Sequence, residues 1–283
     1  MRPRCRVEQW LVFAERDGMI QFENVTRKYG NKTAVDDLNL EIPSGQLFAF
    51  LGPNGAGKTT TIKMVVGLLR PSSGTIRLCG HDVTANNGAA NRLLGYVPDV
   101  PYLYDKLSGS EFLQFIAEMY GMDSRSAAQK ISEQIDAFQL QDFVEDLTES
   151  YSHGMKQRLA FAAAMLHDPK VLVIDEPMVG LDPRSVRLVK DLLRAKAAAG
   201  QTIFMSTHLL PIAEEIADRV GIVDQGRLRF LGTLDQLRER LATHETSLEQ
   251  LYLSFTAGDL AARQGVGAPP DARGSLPKQG TSS

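Results

Sequence analysis

The chain has 283 residues, of which 43% are hydrophobic and 23% charged, a balance typical of a globular chain long enough for one large domain or two small ones. Its apolar runs, such as Leu47–Leu51, are far shorter than the roughly 20 residues that cross a bilayer, which argues against a membrane span. The net charge of −3 gives no overall positive field for nucleic acid, and two cysteines are too few for a disulfide framework.

The first segment, residues 1–18, carries four arginines around a short apolar patch. This patch is too short for the apolar core of a signal peptide. Apolar and polar residues begin to alternate at Met19, in the sequence Met-Ile-Gln-Phe-Glu-Asn-Val, as in a strand. We therefore expect residues 1–18 to be an N-terminal extension, with translation beginning at Met19.

The most informative segment follows the apolar run Leu47–Leu51 directly and fits the phosphate-loop pattern G-x-x-x-x-G-K-[ST]. Glycines at 55 and 57 allow positive φ, so that successive backbone N–H groups can face phosphate oxygens. Lys58 adds a positive charge, the Thr59 hydroxyl can bind Mg²⁺, and the predicted helix 59–69 directs its positive end toward the anion. We expect nucleoside triphosphate to bind Gly52, Pro53, Asn54, Gly55, Ala56, Gly57, Lys58, Thr59 and Thr60.

Two later strands are predicted to end beside this loop. The branched apolar run 171–174 indicates a strand covered on both faces, and it leads into Asp175 and Glu176. Asp175 suits a Mg²⁺ ligand, and Glu176 suits a base that polarises the attacking water; two surface carboxylates that cap the next helix are the alternative. His208 follows the apolar strand 202–207 and can bridge a phosphate oxygen and the base, although a histidine there can also be structural.

Residues 151–158 read Tyr-Ser-His-Gly-Met-Lys-Gln-Arg and open a predicted helix, 155–166. With this segment, the order of the motifs resembles the ATP-binding cassette (ABC) family. In that family a Leu-Ser-Gly-Gly-Gln signature meets the γ-phosphate bound by the opposite subunit. Ser152 and Gly154 match the signature, whereas the residues at 151, 153 and 155 depart from it. An ordinary helix capped by Ser152 is the alternative.

The resemblance covers residues 19–255 and implies an ABC ATPase domain. The implied fold is α/β: a P-loop NTPase core with an antiparallel β subdomain and an α-helical subdomain at about 100–168. Amphipathic patterns predict helices at 109–120 and 126–138. Residues 256–283 are rich in Gly, Pro, Ala and Ser and are expected to form a disordered C-terminal tail.

The resemblance assigns three further roles by position. Tyr29 matches the aromatic residue on which adenine stacks, and Asp182 matches the aspartate of the loop that links the two nucleotide sites. Asp99 stands where the family has a glutamine between the core and the helical subdomain. A carboxylate there can face Mg²⁺, but when ionised it cannot donate a hydrogen bond.

The predicted function is that of the ATP-binding and ATP-hydrolysing subunit of an ABC transporter. Its cofactors would be ATP and Mg²⁺. Its partners would be a transmembrane permease and, because the chain holds one loop and one signature, a second ABC ATPase subunit, in a homodimer or a heterodimer. ATP-driven closure of the pair would energise transport, in the export direction, from a cytoplasmic position on the inner face of the cell membrane. The apolar segment 101–104 would either meet the permease or pack under the Asp99 loop.

Two other functions are weighed against this one. A soluble ABC ATPase that acts on nucleic acid or ribosomes is disfavoured by the single cassette and by the lack of a basic patch, and no nucleic acid partner is expected. A phosphotransferase could use the same loop, but the adjacent Asp175 and Glu176 favour water as the phosphoryl acceptor.

Overall fold

The computed structural model describes residues 18–85 and 88–240. The expected extension, apart from Gly18, and the expected tail at 256–283 lie outside these residues. In chain order the strands and helices are β1 (Gly18–Tyr29), β2 (Lys32–Pro43), β3 (Leu47–Leu51), α1 (Lys58–Val65), β4 (Ser73–Leu78), β5 (His81–Asp82), α2 (Ala89–Arg92), β6 (Leu94–Val97), α3 (Gly109–Met119), α4 (Ser124–Ala137), α5 (His153–Met165), β7 (Val171–Asp175), α6 (Pro183–Ala198), β8 (Thr202–Thr207), α7 (Leu210–Ile216), β9 (Arg219–Asp224), β10 (Arg227–Gly232) and α8 (Leu234–Arg240), with a short 3₁₀ helix at Thr148–Ser150.

The strands form two sheets. The six-stranded sheet has the order β10-β9-β3-β8-β7-β6 and is parallel except for the antiparallel pair β9 and β10. The four-stranded sheet has the order β2-β1-β4-β5 and is antiparallel. Every residue of β3, β7 and β8 is buried, as expected of strands covered on both faces. The predicted α/β class, with a parallel core and an antiparallel sheet, is confirmed.

Strand β3 connects the two hydrophobic cores of the protein. Leu47, Ala49 and Leu51 belong to the core that α3, α5 and α6 help to form, whereas Phe48 and Phe50 belong to the core shared with the antiparallel sheet and α1. Successive side chains of a strand point to opposite faces, so that a five-residue strand is held from both sides. The phosphate loop therefore begins directly after a strand that packs against both cores.

The helices follow their local sequence signals. Helix α3 begins with a capping box between Ser108 and Glu111, and α4 begins at Ser124 because Asp123 accepts hydrogen bonds from the next turn. Both helices lie within two residues of the predicted ranges 109–120 and 126–138. None of the helices in the described part of the chain is long and apolar enough to cross a membrane.

The predicted helix 59–69 was too long. Helix α1 begins at Lys58 and ends at Val65, and Gly67 takes a φ of 75°. A residue in the left-handed region commonly ends a helix. The apolar pattern continues to Leu69 and favours a longer helix. After the observed end of α1, however, Leu68 is 67% exposed. The backbone conformation at Gly67 therefore overrides the periodicity.

We expect Phe204→Ala to lower the free energy of unfolding by about 3–5 kcal/mol, the usual loss when a buried phenylalanine is truncated. Phe204 is fully buried, and its ring centroid lies 6.3 Å from that of Phe22, 5.8 Å from Phe48 and 5.6 Å from Phe50. Urea unfolding followed by circular dichroism measures the loss. Tyr102→Ala is the matched control, because Tyr102 is 88% exposed and its loss should change the free energy by less than about 0.5 kcal/mol. Equal losses would contradict the description of this core.

Candidate nucleotide-binding site

The loop between β3 and α1 has the backbone geometry that its glycines predict. Gly55 and Gly57 have φ values of 82° and 109°, in the region that L side chains rarely adopt. A β-carbon on Gly57 would lie 2.5 Å from the carbonyl oxygen of Ala34, and one on Gly52 would lie 2.5 Å from that of Val223. The backbones of β2 and β9 lie so close to the loop at these two positions that only glycine fits there.

Lys58 connects this loop to the end of β7. The side chain is buried, with 6% exposure, and its Nζ donates to the carbonyl oxygen of Gly52 at 2.7 Å. The same Nζ lies 3.3 Å from Oε1 of Glu176. The phosphate loop and the predicted base are thus in direct contact, as the shared edge of a parallel sheet implies.

Asp175 is buried at the carboxyl end of β7 and accepts hydrogen bonds from the hydroxyls of Ser206 and Thr59. Burial raises the pKa of Asp175, and these two hydrogen bonds oppose the rise because they favour the charged form. The negative charges of Glu176 and Asp99 raise the pKa further. The Asp175 carboxyl group, whose ionisation is disfavoured by burial, therefore lies next to the Thr59 hydroxyl of the phosphate loop.

Glu176 has an unusual backbone conformation. Its φ of 49° lies in the left-handed region, where a side chain is strained, and its N–H donates to the backbone oxygen and to Oγ of Ser206, each at 3.2 Å. Its Oε2 lies 2.9 Å from Nδ1 of His208 and accepts from the His208 backbone N–H at 3.2 Å. The Glu176 carboxylate is thus held between a lysine and a histidine.

Sequence reasoning missed Ser206, which holds both carboxylate residues in place. Its hydroxyl donates to Asp175 and accepts from the Glu176 backbone, and Asp175 pairs with Ser206 in the register of β7 and β8. A polar residue directly after the apolar run 203–205, one position before the end of the strand, was the available signal. The interpretation of 202–207 considered only His208, the residue after the strand.

Three other predicted site residues lie at exposed positions. Tyr29 ends β1 with 46% of its surface exposed, and the Arg27 guanidinium lies 4.7 Å from the centre of its ring. Asp99 follows β6 and is close enough to affect the pKa of Asp175. Asp182 caps α6 by accepting from the backbone N–H groups of Arg184 and Ser185. The roles given to these residues by family resemblance stay predictions.

Ser152 and Gly154 lie at the start of α5, where Ser152 is the N-cap and its Oγ accepts from the Met155 N–H at 3.3 Å. A β-carbon on Gly154 would meet only Leu181, at 3.7 Å. Within residues 18–85 and 88–240, no hydrogen bond or ion pair joins either residue to the phosphate loop.

The oxygen donors next to the loop fit a hard cation. Mg²⁺ prefers oxygen ligands and is usually held by one or two carboxylates together with substrate phosphates. The Thr59 hydroxyl and the Asp175 carboxylate, hydrogen-bonded to each other, are donors of this kind. Among the described residues there is no group of three or more His, Cys, Asp or Glu side chains that could hold a metal without a substrate.

Comparison with known proteins identifies the family. Residues 35–179 match the sequence model described as ABC transporter. The chain belongs to the ABC transporter family. It is 38% identical over 225 residues to the daunorubicin/doxorubicin resistance ATP-binding protein DrrA of Streptomyces peucetius, covering 80% of this chain and 68% of that protein. It is 36% identical to the Nod factor export ATP-binding protein I of Cupriavidus metallidurans, covering 74% and 69%.

A solved structure leads to the same family. The ATP-binding subunit of an ABC transporter superposes with a TM-score of 0.79 at 31% identity, over 84% of this chain and 99% of that one. The predicted resemblance is confirmed: the chain is an ABC ATPase, and its ligand class is ATP.

We expect Asp175→Asn to raise the thermal unfolding temperature of the nucleotide-free protein at neutral pH. Asparagine keeps the shape and can accept the hydrogen bond from Ser206, but it removes a charge that burial disfavours. The pKa of Asp175 in the folded state lies above its ordinary value of 3.8, so the wild type regains stability as the pH falls from that raised pKa toward 3.8. The difference between the two proteins should shrink over this range.

Thermal unfolding across a pH series measures this difference. Asp105→Asn is the control, because Asp105 is exposed and the same chemical change should have little effect there. A wild type that is more stable than Asp175→Asn at neutral pH would contradict the burial argument.

Proposed function

We propose that the chain is the ATP-hydrolysing subunit of an exporter, and that two such cassettes pair around ATP to drive a separate membrane permease. The observation that supports the pairing is that the chain holds one phosphate loop, 52–60, and one signature segment, 151–158, and that no hydrogen bond or ion pair among the described residues joins Ser152 or Gly154 to that loop. A site that needs both would take them from two chains. The relatives named for drug resistance and for Nod factor export support the direction of transport.

Binding would begin with an exchange of partners at Lys58. The ammonium is paired with Glu176 at 3.3 Å, and ATP phosphates carry more negative charge than one carboxylate. Lys58 would turn to the phosphates, while the backbone N–H groups from Asn54 to Thr60, at the loop and the start of α1, surround them. Adenine would stack on the exposed ring of Tyr29.

Glu176 would then act as the general base. As the water oxygen attacks the γ-phosphorus, the carboxylate accepts a proton from the water, and the bond from the γ-phosphorus to the oxygen of ADP breaks. His208 holds the carboxylate through Nδ1 and its backbone N–H, and would contact the γ-phosphate. Thr59 and Asp175, with Asp99 nearby, would hold Mg²⁺, which neutralises phosphate charge when bound.

Closure of the pair would follow from the γ-phosphate. Ser152 and Gly154 of one chain offer a hydroxyl and an open helix N-terminus to the ATP held by the other chain. ATP then favours the closed state over the open one, and loss of the γ-phosphate removes that difference in affinity. Asp182, at the start of α6, would link the two sites across the interface.

The permease would meet the surface beside β6. Val100 and Tyr102 are 71% and 88% exposed, and Tyr102 lines an apolar groove of about 330 Å³. Tyr104, by contrast, packs on Phe112 and Phe115, with ring centroids 6.2 and 5.4 Å away. Tyr102 thus suits contact with a partner, whereas Tyr104, although 51% exposed, packs against α3. Binding to the permease would place the chain on the cytoplasmic face of the membrane.

We expect Glu176→Gln to abolish ATP turnover while ATP binding persists, because the amide keeps the shape of the base but cannot accept the proton. The variant should accumulate as an ATP-bound dimer. Phosphate release and size-exclusion chromatography with ATP and Mg²⁺ measure the two effects. Glu41→Gln, on the exposed part of β2, is the control and should behave as wild type. Normal turnover by Glu176→Gln would exclude Glu176 as the base.

The partner is tested by affinity capture of the full chain from detergent-solubilised membranes of its own cell. We expect a protein with several membrane-spanning segments to be recovered, and Tyr102→Asp to reduce the recovery because the change puts a charge on the proposed contact surface. Recovery of ribosomes or nucleic acid in place of a membrane protein would contradict the transporter proposal.

A further inference from the structure

His153 stands in the signature segment at a position where the family has a glycine, and its side chain bonds to another loop of its own chain. Its Nε2 lies 3.0 Å from the carbonyl oxygen of Val179, in the loop between β7 and α6. Since a carbonyl oxygen only accepts, Nε2 carries the proton and donates. A glycine at 153 could not make this bond.

The loop is shaped to receive the imidazole. Gly180 has a φ of 75°, and a β-carbon there would lie only 3.0 Å from Cδ2 of His153. The ring thus packs against the glycine backbone while its nitrogen bonds to the preceding residue. Next to it, Gly154 faces Leu181. The start of α5 is therefore fitted to the segment 179–181.

This segment is bonded directly to Glu176. The backbone N–H of Val179 donates to the carbonyl oxygen of Glu176 at 3.4 Å. Val179 therefore bonds to Glu176 through its N–H and to His153 through its carbonyl oxygen. Glu176 has a strained φ of 49°, a conformation that persists only where its surroundings hold it. His153 adds to the contacts that hold the turn after Glu176.

We propose that His153 is a positioning residue for the Glu176 of its own chain. The inference rests on the proposed function, in which the neighbouring Ser152 contacts ATP bound by the partner. Two adjacent residues of the signature segment then serve different ATP sites: Ser152 the site of the partner, and His153 the site of its own chain. The bond between α5 and the loop after β7 would make the base of one site respond to the position of the signature in the other.

The hydrogen bond is tested with two side chains of similar length. His153→Met cannot donate, whereas the amide nitrogen of His153→Gln reaches about as far as Nε2 and can donate. We expect His153→Met to lower kcat about fivefold, the effect of one lost hydrogen bond, with KM for ATP unchanged, and His153→Gln to keep the wild-type kcat. His81→Met, at an exposed position in β5, is the matched control. Equal kcat values for His153→Met and His153→Gln would overturn the role of the hydrogen bond.

The site on which His153 acts is tested by mixing chains. With Glu176→Gln chains in large excess, nearly every chain with an intact Glu176 pairs with an inactive one, and turnover occurs only at the intact site. We expect His153→Met to lower turnover about fivefold when it is in the chain with the intact Glu176, and much less when it is in the excess chain.

The outcomes separate this inference from the proposed function. A larger loss with His153→Met in the excess chain would show that His153 acts across the interface, and would overturn the inference while leaving the pairing intact. Tagged Glu176→Gln chains that fail to retain untagged chains with an intact Glu176 in the presence of ATP and Mg²⁺ would contradict the pairing itself, and with it the proposed function.

Discussion

The parallel register of β3, β8 and β7 is the constraint on which the site depends. Leu51 pairs with Thr207, and Asp175 pairs with Ser206, so that the three strands end at one edge of the sheet. The phosphate loop, the two carboxylates and His208 follow these ends directly. Residues that are more than a hundred positions apart in the chain are thereby brought within hydrogen-bond distance. Because the three strands are buried on both faces, their relative positions cannot slip without exposing core side chains.

Several residues at the same edge of the sheet destabilise the folded state. Asp175 is buried at a raised pKa, Glu176 has a strained backbone, and Lys58 is almost without exposure. Ser206 partly offsets this loss of stability by its hydrogen bonds to Asp175 and Glu176. Such an arrangement reduces stability and supplies groups that are already oriented for phosphate, metal and water. The stability of the molecule comes instead from the two cores on either side of β3.

Patterns that are local in sequence could be predicted, and contacts that are distant in sequence could not. The glycines and Lys58 of the loop, the strands before Gly52 and Asp175, and the cap at Ser152 each depend on a few neighbouring residues. The end of α1 was misplaced because the conformation of Gly67 outweighs an apolar pattern that continues to Leu69. Ser206 and the bond from His153 to Val179 were missed because they depend on register and packing between separate elements.

The claim that one ATP site is built from two chains is tested most directly by mixing two inactive variants. Lys58→Ala removes the phosphate contact of one chain. Ser152→Asp keeps a helix cap, so that α5 still forms, but places a negative charge against the γ-phosphate of the partner. Each variant alone should hydrolyse almost no ATP. In the mixture, an intact loop meets an intact signature in every mixed pair, and we predict that ATP hydrolysis returns; a mixture that stays as inactive as its components would contradict the two-chain site.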